Sequence, residues 1–194
     1  MGRIIAIENV TLDGVMQSPG RPDEDTRGGF PYGGWGNGYF DAVMGEAAAK
    51  GMSQEPALLF GRRTYQDFHA VWPNRTDGNP FTDVLNRARK YVCSRTLNDP
   101  LPWSNSVLLK GEAAETVAAL KQQTGHDLGI LGCGELVHTL MQHNLIDEYQ
   151  LSIFPLVLGT GRRLFRDGSE YTHLQLVDSK ASTTGVILAT YRPA

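Results

Sequence analysis

Short apolar runs, each closed by a turn or a polar cluster, recur along this chain and alternate with segments of helical period. Residues 3–10 read as a first strand, closed by Asp13-Gly14. Runs at 57–60, 90–93, 106–109 and 128–131 are short enough for buried parallel strands. Helices are predicted between them over 63–70, 80–88, 112–124 and 134–143. In the last, Leu136, Val137, Leu140 and Met141 form one stripe at helical spacing. Trp72-Pro73 reads as a helix stop, and Gly125 as the stop of the 112–124 helix. After Asn144 the pattern turns to strand. Residues 147–158 read as one long strand, Gly159-Thr160-Gly161 as a turn, and 173–178 with 185–192 as a closing antiparallel hairpin. The expectation is an α/β fold: one mixed, mostly parallel sheet with helices on both faces and a C-terminal antiparallel hairpin.

One stretch breaks the alternation. From Gly14 to about Gly38, glycine, proline, aspartate and aromatic residues dominate with no periodic apolar face. A loop of that length in a compact domain is usually functional or mobile. Helix formers follow over 39–50 and break at Gly51.

Composition narrows the function classes. With 194 residues and 41% hydrophobic content, the chain can bury a sizeable core, and a single domain over 1–194 is expected. The formal net charge is -3, with no long basic block, which argues against nucleic acid as a partner. No uninterrupted apolar run approaches the roughly 18 residues of a membrane span, and the N-terminus lacks a signal-like segment. Two cysteines, Cys93 and Cys133, end buried strands without disulfide or metal-ligand spacing, as expected of a cytoplasmic protein. The five histidines show no ligand spacing, and no metal is expected.

The chemistry concentrates at three strand-to-turn stations: LLFGRRTY at 58–65, KYVCSRT at 90–96 and GILGCGEL at 129–136. At the first, Gly61 admits a tight turn, and Arg62, Arg63 and Thr64 occupy the first turn of a helix. Free N–H groups there attract an anion, and a guanidinium adds a bidentate phosphate clamp. The second offers Ser94, Arg95 and Thr96 directly after a strand. At the third, Gly132 and Gly134 bracket Cys133 before Glu135 and Leu136 enter a helix, leaving room for a pyrophosphate. Any one station also fits an ordinary strand-to-helix turn. Three together point to a dinucleotide laid across the carboxyl ends of one sheet.

The same motifs carry a resemblance. In order, Thr11-Leu12-Asp13-Gly14, FGRRTY at 60–65, Trp72-Pro73, KYVCSRTL at 90–97, ILGCGELV at 130–137 and the IDEYQLSIFPLVLGTGRRLF run at 146–165 resemble the dihydrofolate reductase superfamily. The branch is similar to the reductase domain of the bifunctional riboflavin-biosynthesis deaminase-reductase. The resemblance implies a dihydrofolate reductase-like fold and NADPH as cofactor. Arg62 and Arg95 would grip its 2′-phosphate, Thr64 and the amides of 63–64 one side of the pyrophosphate, and Gly132 to Leu136 the other. Dihydrofolate reductases join a Gly-Gly pair by a cis peptide; here Cys133 follows Gly132, which leaves the loop's geometry open.

A hydride acceptor also needs a proton. Asp41, on the helix after the long loop, is the leading candidate catalytic acid, and Asp13 the second. A solvated helix-start acid and an Asx turn are their plainer readings. Trp35 and Tyr39 are candidate substrate-binding residues, with core packing as the alternative. Arg162 and Arg163 follow the Gly159-Thr160-Gly161 turn and are candidates for a substrate phosphate, with exposed hairpin arginines as the plainer reading. The activity expected is an NADPH-dependent reductase of a small heterocycle, most like the 5-amino-6-(5-phosphoribosylamino)uracil reductase of riboflavin biosynthesis. A pterin reductase and a non-catalytic NADPH-binding module are the alternatives. The apolar 147–165 segment suggests a homodimer.

Overall fold

The computed structural model describes residues 2–53 and 57–194. Eight strands and five helices follow in chain order: β1 (Ile4–Thr11), α1 (Ala42–Ser53), β2 (Ala57–Gly61), α2 (Arg62–Val71), α3 (Pro80–Arg87), β3 (Lys90–Ser94), β4 (Ser106–Lys110), α4 (Ala113–Gln123), β5 (Leu128–Leu131), α5 (Gly134–Gln142), β6 (Glu148–Phe154), β7 (Leu174–Ala181) and β8 (Ile187–Pro193). The sheet is mixed and mostly parallel, in the order β4-β3-β2-β5-β1-β6-β8-β7. This is the α/β fold that the pattern and the resemblance implied. Among the described residues, no helix is long and apolar enough to cross a membrane.

Two compact units share the chain. One comprises residues 1–5 and 49–146; the other comprises 6–48 and 147–194.

In the first unit, β2 pairs in parallel with β3 on one side and β5 on the other, and β3 pairs in parallel with β4. β2, β3 and β5 are buried along nearly their whole length, so they read as continuous apolar runs rather than as alternations, whereas β4 at the margin is only partly buried. The side chains of Leu59, Phe60, Val92, Leu128 and Ile130 are wholly or almost wholly removed from water, as are Val137 and Leu140 of α5. Beneath them lies an unexpected charge. The Lys90 side chain is fully buried; its Nζ donates to the carbonyls of Asn86, Ala88 and Ser104 and sits 4.4 Å from the Trp103 ring centroid. Burial pushes its pKa down to about 8. Three acceptors and an aromatic face are what a buried ammonium needs to remain charged.

In the second unit, β8 pairs antiparallel with β6 and with β7, and a bulge lies between Leu176 and Asp178. Val15, Phe30, Trp35, Phe154 and Val186 form its apolar centre. The predicted long strand 147–158 is shorter than expected: β6 ends at Phe154, because Pro155 cannot donate to a ladder. Conversely, α1 runs through Gly51 to Ser53 rather than breaking there. Gly125 is not an αL stop either, since α4 ends on Thr124 in an extended conformation.

The long loop after β1 is knitted rather than loose. Buried Gln17 donates from Nε2 to the carbonyls of Asp25 and Arg27 and accepts the Arg162 N–H at Oε1. Gly161 closes the far side with φ +119; a Cβ there would lie 2.7 Å from both Phe30 and Val15 side chains.

Candidate functional site

All three stations fall within the first unit, at the carboxyl ends of neighbouring parallel strands. Leu59 pairs with Ile130, Gly61 with Cys93, and Ser94 with Lys110. The registers therefore bring the ends of β5, β2, β3 and β4 to one edge of the sheet, and the turns that follow them share that edge.

The helices that start there are treated differently from the rest. α3 is capped by Asn79, whose side chain accepts the Phe81 N–H, and α1 by Asp41, which accepts the Met44 N–H at 2.9 Å. By contrast, α2 after Gly61, α4 after Glu112 and α5 after Cys133 have no side-chain cap. Each leaves first-turn N–H groups without an internal acceptor, at the positive end of a helix dipole. Such a set of donors is suited to phosphate oxygens.

Two of the turns are also tied together directly. The Gly61 N–H points at Cys133 Sγ (3.4 Å), and Thr64 Oγ1 donates to the Gly132 carbonyl at 3.4 Å. Cys133 thus turns its buried thiol inward, and Leu136 its side chain into the core, so what these residues offer outward is backbone. Gly132 has φ +64, a conformation that side chains other than glycine rarely adopt, and a Cβ there would meet nothing within 4 Å. The space beside Gly132 is open. Its peptide bond to Cys133 is trans: among the described residues the one cis bond is Asp99–Pro100.

Arg62 and Arg63 are exposed at the start of α2 and form no ion pair or side-chain hydrogen bond among the described residues. Ser94 is buried, and its hydroxyl accepts the N–H groups of Thr96 (3.1 Å) and Leu97 (3.0 Å), which fixes the turn that presents Arg95. Lys110 braces the same turn, donating to the Leu97 carbonyl at 2.6 Å and to Asn98 Oδ1 at 3.1 Å. Arg95 itself donates to Glu112 Oε1 at 3.1 Å. Burial pushes the Cys93 thiol up to about 12, away from the thiolate form that nucleophiles and metal ligands require.

The remaining predicted residues lie in the second unit, and their contacts favour the plainer readings. Asp41 caps α1 and accepts both the N–H and the hydroxyl of Thr183, at 2.6 and 2.7 Å. The Thr183 hydroxyl and the Met44 N–H hold its carboxyl below the usual range. Asp13 accepts from Thr11 Oγ1 at 2.6 Å, from the Leu158 N–H at 3.2 Å and from the Gly159 N–H at 2.8 Å. Burial works against its charge, but these bonds outweigh it and its pKa is lowered. Both acids are ionised anchors of loops. Trp35 is buried, donates from Nε1 to the Gln17 carbonyl and packs edge-on against Phe154, 5.0 Å between centroids. Tyr39 meets the same ring from another side at 5.6 Å. Arg163 turns back onto Asp13, with Nε on its carbonyl.

Sequence reasoning missed Glu112 and Lys110. No local signal marks them, because their role exists only through the parallel register of β3 and β4. Among the described residues, no group of three or more His, Cys, Asp or Glu side chains is placed to hold a metal ion.

Comparison with known proteins converges on one family. The family model described as RibD C-terminal domain matches residues 3–188. The uncharacterized protein YyaP of Bacillus subtilis (strain 168) is 29% identical over 143 residues, covering 72% of this chain and 75% of its own. Among solved structures, RibD of Acinetobacter baumannii has a TM-score of 0.62 at 16% identity, covering 100% of this chain and 58% of that one. A dihydrofolate reductase from Enterococcus faecalis, complexed with NADP(H), has a TM-score of 0.59 at 13% identity and covers 99% and 96%. At these identities the structural likenesses show the fold alone, which is dihydrofolate reductase-like.

Proposed function

The chain belongs to the RibD C-terminal domain family, and from that premise we propose that it is an NADPH-dependent reductase of a small nitrogen heterocycle. The observation that carries the coenzyme reading is the pattern of caps. The three helices starting at one sheet edge lack side-chain caps, while α1 and α3 have them. Arg62 and Arg63, which form no ion pair among the described residues, with Arg95 beside them in the strand order, supply the positive charge for an adenosine 2′-phosphate. Thr64 and the first-turn amides of α2 and α5 would hold the pyrophosphate, with Gly132 leaving the space beside it free. The coenzyme, when bound, supplies the hydride. The same fold carries NADP(H) in the Enterococcus faecalis dihydrofolate reductase, which supports the assignment.

The protein's own residues then bind, orient and exclude water. Asp13 and Asp41 keep the loops of the second unit in place through their bonds to Gly159 and Thr183, and the proton that completes the reduction is drawn from water. One family model runs over residues 3–188, through both units, which supports reading residues 1–194 as a single reductase domain. The substrate class that best fits the family is the aminouracil ribosyl phosphate of riboflavin biosynthesis. A homodimer is the assembly expected of it.

Turnover decides the substrate. NADPH oxidation with the aminouracil ribosyl phosphate, and little with dihydrofolate, is the expected result. The reverse preference would reassign the chain to pterins. NADPH binding without oxidation of either would make it a binding module.

A further inference from the structure

One of the three arginines on the proposed coenzyme edge is already engaged. Arg95 Nη1 donates to Glu112 Oε1 at 3.1 Å, whereas Arg62 and Arg63 have no such partner among the described residues. We infer that Glu112 sets the strength of the preference for a 2′-phosphorylated coenzyme, by competing with that phosphate for the Arg95 guanidinium. The inference rests on the coenzyme reading above and adds a specificity residue to it.

Three features make Glu112 a competitor rather than a brace. First, the turn that presents Arg95 is held without it. Ser94 Oγ accepts the N–H groups of Thr96 and Leu97, and Lys110 Nζ donates to the Leu97 carbonyl and Asn98. Second, the two side chains of the pair are 73% and 62% exposed. An ion pair so exposed is weak and screened by salt, so a phosphate dianion that takes the guanidinium bidentately can displace it. Third, the displaced carboxylate has somewhere to go. Glu112 is the N-cap residue of α4, which has no side-chain cap, and the first-turn N–H groups there favour an acid. The exchange still leaves a negative charge near the phosphate. NADH, which carries a 2′-hydroxyl instead, meets neither the competition nor the repulsion.

Calorimetric titration of NADPH and NADH into wild type, Glu112→Gln, Arg95→Ala and the Arg95→Ala/Glu112→Gln double variant tests this, with Glu112→Ala as a second charge-removing variant. Removing the charge should tighten NADPH about twofold to fivefold, the equilibrium equivalent of an exposed ion pair. NADH affinity should stay the same. The gain should vanish in the Arg95→Ala background and shrink as salt is raised. Unchanged or weaker NADPH binding in both Glu112 variants overturns the inference, as does a gain that survives loss of Arg95 or that NADH shares. If Arg95→Ala weakens NADPH in those same titrations, the coenzyme reading survives that outcome. A wild-type protein that takes up no NADPH overturns both.

Discussion

At the scale of single residues, the acids and aromatics of the second unit show what side-chain identity can and cannot tell. Asp13, Asp41, Trp35 and Tyr39 are of the types a reductase site would use, yet each is engaged with its own unit. Their residue types were legible; their partners were not, because Gly159, Thr183 and Phe154 lie far along the chain and meet them only on folding. The consequence for Asp13 can be measured. Its folded pKa lies below the ordinary 3.8. The unfolded chain therefore binds the proton first as pH falls, and Asp13's contribution is full above 3.8 and is lost as pH drops through the folded value. Thermal melts from neutral to acid pH should show Asp13→Asn lowering Tm by about 2–8 °C at neutral pH and by less in acid. An equal drop at every pH would mean that the charge contributes nothing. Arg62→Ala and Arg95→Ala belong at this scale too. Each should weaken NADPH about tenfold and NADH far less, since a charge-assisted phosphate contact is lost only for the former. Equal losses for the two coenzymes would remove the arginines from the 2′-phosphate.

At the scale of elements, the stations at 58–65 and 129–136 were legible as strand, turn and helix start, and that at 90–96 as strand and turn, because buried parallel strands and helical stripes have distinct periods. The lengths of β6 and α1 were less so. The apolar run through 147–158 continues past the strand because Leu156 and Leu158 pack against the second unit's core in irregular backbone. The turn glycines give a direct contrast. At Gly132, φ +64 makes any side chain strained, and Gly132→Ala should cost about 1–2 kcal/mol while also weakening NADPH. At Gly125, where φ lies outside that region and a Cβ meets nothing, Gly125→Ala should stay within about 0.5 kcal/mol of wild type. Chemical denaturation of the two variants side by side checks the pair. Equal stabilities would place no demand on the Gly132 conformation.

At the scale of the whole molecule, the strand order could not be read from periodicity, and it is the order that gives the stations their meaning. Four parallel strands with aligned registers bring turns some seventy positions apart in sequence, such as those carrying Thr64 and Gly132, into hydrogen-bonding distance. Assembly is less well marked. Within the apolar 147–165 segment, Tyr149, Leu151, Phe154 and Leu164 are buried, while Val157 and Phe165 are exposed. Light scattering at twice the chain mass of 21.3 kDa is nevertheless the result a homodimer requires, and a monomeric mass would remove it.

Amide hydrogen exchange with and without NADPH asks most directly whether one sheet edge grips the coenzyme through its backbone. The coenzyme should slow exchange together at 61–64, 94–96 and 132–136, with weaker protection in Arg62→Ala. Saturating NADPH that leaves all three turns exchanging as before, or that protects only a segment elsewhere, would contradict it.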